Sequence, residues 1–276
     1  MQVATEQNSA SALVNPLLPL THLTDEEQAW REKVRLFSET KIRPLTAQMD
    51  REARIDPHLL EELFAARLMS IEIPKVYGGA SGSLFHSFLA VEEIARVDPG
   101  VAVYVDVQNV LVIRTLLDWG NGDQRRQYLP QLARTTVGAF ALSEKKAGSD
   151  AFSLATVATP DGKDFILNGC KYWTSSAKEA DLFVVFAKVE HDSRNQITAF
   201  LVERSLPGLS IGKNIDKLGI RANSTCELIL NDVRVRRENI LGKPGDGERI
   251  AIEILNIGRI GIAAQLVGLA PVSYTH

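Results

Sequence analysis

The sequence predicts an α+β protein: an N-terminal all-α domain, a middle antiparallel β domain, and the start of a C-terminal helical bundle that is mostly missing. Three observations lead there. Apolar residues recur at helical spacing as far as Thr135. Short β-branched runs separated by turn residues follow. The helical period then returns after Gly245-Asp246-Gly247, with Ile250, Ile254, Ile257 and Ile260 on adjacent faces. Segregated helices and strands are not the strand–helix alternation of a dinucleotide-binding sheet. Neither the glycine-rich dinucleotide fingerprint nor the phosphate-loop motif occurs, so any nucleotide is held by a different scheme.

Each element has a local reason. Residues 1–22 begin with a Ser/Asn/Leu/Pro-rich stretch and are expected to form a loose arm. The helical domain, 23–135, opens at Thr24, which caps a helix with Glu27 bonding back to it. Trp30, Val34 and Phe37 follow at helical spacing, and Pro44 is expected to end the helix. Asp56-Pro57 starts another, because Asp caps and Pro tolerates the first helical position. Tyr77-Gly78-Gly79 breaks the chain and Ser83 opens the next helix. Asp98-Pro99 opens the Val-rich stretch 101–119, read as helix because it is long and lacks clean alternation, and 124–133 forms a shorter helix.

In the β domain, 136–245, runs at 137–142, 155–159, 165–167, 171–174, 182–189, 198–202, 227–230 and 233–235 are read as strands. Pro160-Asp161-Gly162 and Asn168-Gly169 are read as hairpin turns, and Pro207-Gly208 as a further turn. Residues 246–270 form the first helix of the C-terminal domain.

Composition narrows the function classes. The chain has 276 residues, 45% hydrophobic and 24% charged, with a formal net charge of -3. No basic stripe marks a nucleic-acid binder, so no nucleic-acid partner is expected. No apolar run is long enough to span a bilayer, so no membrane partner is expected either. Cys170 and Cys226 are far apart and fit a reducing compartment rather than a disulfide framework. The five histidines are scattered, and no metal site is expected. The first twenty residues lack Lys and Arg and show neither a secretory nor a transit pattern. Bacterial cytoplasm is therefore the expected compartment, with the mitochondrial matrix as the alternative.

Four stretches carry candidate chemistry. The first is Phe140-Ala141-Leu142-Ser143-Glu144-Lys145-Lys146-Ala147-Gly148-Ser149-Asp150. A strand ends there in a hydroxyl and a carboxylate, and small residues let backbone N–H groups approach an anionic ligand. A plain polar loop fits the same residues. The second is Lys171-Tyr172-Trp173-Thr174-Ser175-Ser176, where strand alternation puts Trp173 and Ser175 on one face and Thr174 on the other. A core Trp before a turn is its bland reading. The third, Lys217-Leu218-Gly219-Ile220-Arg221-Ala222-Asn223-Ser224-Thr225, reads by itself as a surface turn. In the fourth, Asn256-Ile257-Gly258-Arg259-Ile260-Gly261-Ile262-Ala263-Ala264-Gln265, Asn256 and Arg259 share a helix face. That Arg suits a phosphate or is a solvated surface charge.

In this order and spacing the four stretches resemble the acyl-CoA dehydrogenase family, from about Leu23 to Ala270, most like its short/branched-chain (2-methylacyl-CoA) members. Ile73-Pro74-Lys75-Val76-Tyr77-Gly78-Gly79, Tyr128-Leu129-Pro130-Gln131-Leu132-Ala133 and Asn239-Ile240-Leu241-Gly242 support it. The resemblance implies FAD between the β domain and the helical bundle, and removal of an α proton and a β hydride from an acyl-CoA to leave a trans-2-enoyl-CoA. It implies Phe140, Leu142 and Ser143 beside the isoalloxazine, with main-chain N–H and the Ser143 hydroxyl on its pyrimidine edge. Gly148, Ser149 and Ser175 belong to the same cofactor set, with Ser149 near both pyrophosphate and substrate. Trp173 is expected against the ring and Thr174 with its hydroxyl toward N5. Asn256 and Arg259 are expected on the CoA moiety. Electron-transfer flavoprotein and a homotetramer are the implied partners.

The sequence also departs from the family pattern. Lys145-Lys146 stands where relatives carry Pro or Ala and then Gly or Asn, and is read as solvated. Ile257 and Glu248 differ at positions bordering the CoA or acyl pocket. Nothing after Ala270 resembles the segment holding the family's general-base glutamate, so no catalytic residue is assigned, and Glu144 and Glu253 are not promoted to that role. The closing Pro271-Val272-Ser273-Tyr274-Thr275-His276 resembles a translated sequencing adapter and is expected to be a non-native tail on a truncated, inactive fragment, with a natural truncation as the bland alternative. A flavin oxidase or monooxygenase on the same scaffold, and a non-catalytic acyl-CoA- or partner-binding fragment, are the competing readings.

Overall fold

The computed structural model describes residues 22–189 and 196–275. Most of the expected N-terminal arm, with His191 and His276, lies outside the described residues. Helix α1 (Asp25–Phe37) starts at the predicted capping box, with Thr24 and Glu27 bonded reciprocally. Pro44 does not end the helical path. A wide π turn (Ser38–Ile42), closed by Arg43 N–H on Ser38 O, is followed by a 3₁₀ turn (Arg43–Leu45) holding Pro44 in its first positions. The widened turn accommodates the ring and the missing N–H. The path continues as α2 (Thr46–Glu52).

Asp56 caps α3 (Pro57–Ala65) through His58 and Leu59 N–H at 2.8 and 3.2 Å. Ser83 caps α4 (Leu84–Ala95). Asp98 caps α5 (Pro99–Asp106), so the Val-rich stretch is helical. It continues through a π turn (Val107–Ile113) into α6 (Arg114–Trp119), and α7 (Gly122–Leu132) follows. The π turn aims two buried amides outward. Asn109 Nδ2 donates to Leu68 O at 2.8 Å, and Gln108 Oε1 accepts Gly138 N–H at 2.8 Å. Gln108 thereby pins the first strand to the central helix.

The strands are β1 (Val137–Ala141), β2 (Val157–Asp161), β3 (Asp164–Ser175), β4 (Ala180–Val189), β5 (Gln196–Glu203), β6 (Leu209–Asn214), β7 (Thr225–Val235) and β8 (Ile240–Leu241). They form one sheet in the order β6-β7-β3-β2-β4-β5-β8, with β1 beside β4. The pairing is mainly antiparallel, but β1 and β2 each run parallel to β4. Asp161-Gly162-Lys163-Asp164 makes the predicted hairpin. Asn168-Gly169 does not make one. It is a bulge inside β3, which is a single strand spanning two predicted runs. A Cβ at Gly169 would lie 2.4 Å from Thr156 Oγ1, so the glycine serves close backbone approach rather than reversal. β6 and β8 escaped the sequence reading because they are short and lack an apolar run.

Helix α8 (Gly247–Thr275) is 29 residues long and continues through Pro271 into the stretch expected to be a foreign tail. It lies against α4 and α5 on small residues. A Cβ at Gly268 would be 2.1 Å from Glu92 O, and one at Gly261 would be 2.0 Å from Asp106 Oδ1. Its other face exposes Ile260, Ile262, Leu266 and Val267. The expectation that nothing could span a bilayer needs correction. The helical stretches Pro99–Trp119 and Gly247–Tyr274 both reach the length and mean hydropathy of a span, although the first is mostly buried in protein. Scattered charges such as Asp106 and Arg114 interrupt the runs without lowering the average enough.

The close α8–α4 approach makes Gly268→Ala a direct test. Added helix propensity should gain about 1 kcal/mol, but the clash with backbone should dominate and lower stability by about 1–3 kcal/mol in urea unfolding. An unchanged or raised midpoint would contradict this docking.

Candidate functional site

The loop after β1 is a tight turn closed by paired backbone bonds between Glu144 and Ala147, at 3.0 and 3.1 Å. Lys145 and Lys146 are exposed at its tip, matching the solvated reading. The Glu144 carboxylate turns inward. It accepts Ala155 N–H at 2.6 Å and Thr156 N–H at 3.1 Å, and Lys171 Nζ lies 2.7 Å away. Lys171 is fully buried and also donates to Leu142 O at 3.2 Å. Burial lowers the Lys171 pKa to about 8, against the attraction of Glu144. Burial works to raise that of Glu144, but Lys171 and the N–H donors outweigh it and hold it below the ordinary range. Their mutual attraction favours the charged form of both groups. Sequence reasoning quoted Lys171 without giving it a role, because its partner is 27 residues away.

Tyr172 N–H donates to Ser143 O at 2.8 Å, which sets β3 beside the loop. Strand alternation then fails at Trp173. Its φ is +61°, and the β3–β7 register shifts between Lys171 and Thr174. A bulky residue in the left-handed region is strained backbone that the surroundings must hold. The indole is 59% exposed, so it is no core Trp. Thr174 is 1% exposed, and its Oγ1 is shut off from the surface without a hydrogen-bond partner. Ser175 lines the adjoining cleft.

The third stretch is not a free surface turn. Ser176 N–H donates to Ser224 O at 2.8 Å, and Asn223 Nδ2 donates to Ser176 Oγ at 3.0 Å. Glu179 Oε2 gathers the hydroxyls of Tyr104 and Ser224 at 2.7 and 2.5 Å. Lys217 Nζ donates to Asn223 O at 2.6 Å. These bonds hold the 217–225 loop against the end of β3.

Between that loop, α5 and α8 lies a mostly apolar cleft of about 710 Å³. Ser175, Lys217, Asn223 and Arg259 reach it, as does Asp106, which the sequence reading missed. Asp106 Oδ1 is buried without a partner, and burial raises the carboxyl pKa to about 7. Only its unremarkable place in a helical valine run was visible in the sequence. Asn256 is exposed outside the cleft and accepts a hydrogen bond from Arg259. Phe140 packs on Phe186 with centroids 4.9 Å apart, and the Leu142 side chain is in the core. Ser143 is half-buried, whereas Gly148 and Ser149 are exposed. A Cβ at Gly148 would meet nothing within 4 Å, so packing within the chain does not require glycine there.

A helical domain, a mainly antiparallel β domain and a long helix closing a cleft between them define the class of protein. The comparisons with known proteins agree. The description "Acyl-CoA dehydrogenase, N-terminal domain" fits residues 24–136, and "Acyl-CoA dehydrogenase, middle domain" fits 139–233. The chain is 51% identical over 255 residues to a probable short/branched chain specific acyl-CoA dehydrogenase of Dictyostelium discoideum, covering 91% of this chain and 62% of that protein. It is similar to the structure of butyryl-CoA dehydrogenase from Megasphaera elsdenii, with TM-score 0.86 and 36% identity, covering 91% of this chain and 67% of that one. A glutaryl-CoA dehydrogenase from Mycobacterium smegmatis in complex with FADH2 matches with TM-score 0.83 and 30% identity, over 89% of this chain and 62% of that one. The chain belongs to the acyl-CoA dehydrogenase family. It spans about three fifths of the length of the curated relatives it matches, 62% and 59% for the first two.

Two stability measurements test this geometry. Lys171→Met strands the Glu144 charge and should cost about 3–5 kcal/mol in urea unfolding. Adding Glu144→Gln should recover much of that loss, and additive losses would contradict the pairing.

Asp106 should also leave a pH signature. Its carboxyl keeps a proton up to about pH 7 in the fold, whereas an unfolded aspartate releases it near pH 4. Its contribution is therefore full below about pH 4 and is lost as pH rises through about 7. Wild type should lose on the order of 2 kcal/mol relative to Asp106→Asn between about pH 5 and about pH 8. Parallel pH profiles would show that this carboxyl does not titrate as described.

Proposed function

We propose that this chain forms the FAD-facing and acyl-CoA-facing part of an acyl-CoA dehydrogenase that converts a short or branched-chain acyl-CoA to the trans-2-enoyl-CoA. The observation that carries the reading is the cleft. It joins Ser175 at the end of β3, the 217–225 loop and Arg259 of α8 around apolar walls, with the exposed Trp173 next to it in sequence.

The residues present fit an FAD. Trp173 offers an exposed aromatic surface, Ser175 a hydroxyl at the cleft, and Gly148-Ser149 an open segment of small residues. Phe140, Leu142 and Ser143 contribute main chain on the adjoining strand end, joined to β3 by the Tyr172–Ser143 bond. When bound, the flavin supplies a hydride acceptor for the β carbon. The chain's own part is to bind, orient and keep water away. The apolar walls enclose an acyl chain, while Lys217 and Arg259 put positive charge at the cleft for the phosphates of CoA. Glu144 is committed to Lys171, and Glu253 is exposed on α8, so neither serves as the base for the α proton. Electron-transfer flavoprotein as electron acceptor and a homotetramer of the whole protein belong to the same reading. The exposed apolar face of α8 supports burial against further protein.

Paired hydroxyl variants test this assignment by FAD fluorescence titration and the visible flavin spectrum. Ser175→Ala should weaken FAD binding by about tenfold, the worth of one hydrogen bond near 1.4 kcal/mol, and shift the spectrum. Thr174→Val should leave both within about twofold. The reverse pattern would assign the role to Thr174, and failure of the chain to bind FAD would sink the functional reading.

A further inference from the structure

Asp106 stands at the C-terminal end of α5, 3% exposed, in a cleft whose walls are otherwise mostly apolar. It makes no ion pair among the described residues, and its Oδ1 has no hydrogen-bond partner. The two cations that share the cleft hydrogen-bond to neutral groups and not to Asp106. Lys217 Nζ donates to Asn223 O, and Arg259 donates to Asn256. Across from the carboxyl, α8 presents Gly261, where a Cβ would fall 2.0 Å from Oδ1. Helix α8 thus leaves room for a carboxyl group that packing alone does not need. Burial without a counter-charge is the sole cause of its raised pKa.

We propose that Asp106 is a specificity-determining residue of the cleft, admitting acyl thioesters with uncharged chains and rejecting those whose chains end in a carboxylate. The proposal rests on the acyl-CoA reading of the cleft. Once Asp106 has released its proton, two carboxylates would share one apolar space, so a chain ending in a carboxylate must then take up a proton or meet a like charge. An uncharged chain meets neither penalty and keeps its full apolar contact. The discrimination is by repulsion, with no added attraction for the favoured ligand.

Isothermal titration of the FAD-loaded 276-residue chain with butyryl-CoA and glutaryl-CoA at about pH 8, where Asp106 is ionised, tests the proposal, because the two ligands share the CoA moiety and differ in the chain terminus. Wild type should bind butyryl-CoA at least about tenfold more tightly. That ratio should fall at least about fivefold in Asp106→Asn and in Asp106→Ser, through tighter binding of glutaryl-CoA. Wild type that binds glutaryl-CoA as tightly as butyryl-CoA overturns the proposal without recourse to a variant. So does an unchanged ratio in whichever variant folds. If neither ligand binds wild type, the acyl-CoA reading of the cleft fails, and the role of Asp106 fails with it.

Discussion

The candidate site depends on one buried ion pair. Glu144 and Lys171 meet at 2.7 Å with almost no solvent exposure. Through the carboxylate, the loop after β1 is tied to the segment that enters β2. Through the ammonium, the same loop is tied to β3 and to Leu142 O. Such a pair adds little net stability over a well-packed apolar pair, but it tolerates no partial loss. That suits a scaffold role. It accepts one arrangement of three segments, and that arrangement puts the end of β1 beside Tyr172 and the bulge that follows.

The bulge turns a strand into a site. Regular alternation would have left Trp173 and Ser175 on a common face. The positive φ at Trp173, with another at Ser176, breaks that pattern. The indole then reaches solvent, the Thr174 hydroxyl points into the protein, and Ser175 reaches the cleft. The hydrogen bonds from Ser176 to Ser224 and Asn223 hold this local strain from the far side. The third stretch, which by itself looked like a surface turn, is therefore part of the frame.

Helix α8 supplies the other wall. Its small residues at 261 and 268 permit close docking on α5 and α4, and a different face, with Leu255, Ile262 and Leu266, carries Arg259 to the cleft. The docking also brings Gly261 against Asp106. A buried carboxyl without a cation is an expensive feature for a fold to retain, and its position inside the cleft makes substrate selection its natural physical consequence.

Much of this protein was legible in its residues. Thr24, Asp56, Ser83 and Asp98 placed helix starts through local capping, which depends only on neighbours in sequence. Asp161-Gly162 placed a hairpin for the same reason. The ordered set of motifs pointed to the family through residue types and spacing, without any knowledge of their contacts. Where a neighbour distant in sequence decides, local reasoning went astray. Gly169 is a glycine because Thr156 lies against it, and Lys171 is buried because Glu144 neutralises it. The bulge at Trp173 exists because β7 and the Asn223 loop impose it, and Asp106 lies in the cleft because α8 crosses it. Local propensity alone determined the elements and the composition of the site. Which face each side chain presents was decided only when long-range packing and pairing set the strand register and the helix crossing.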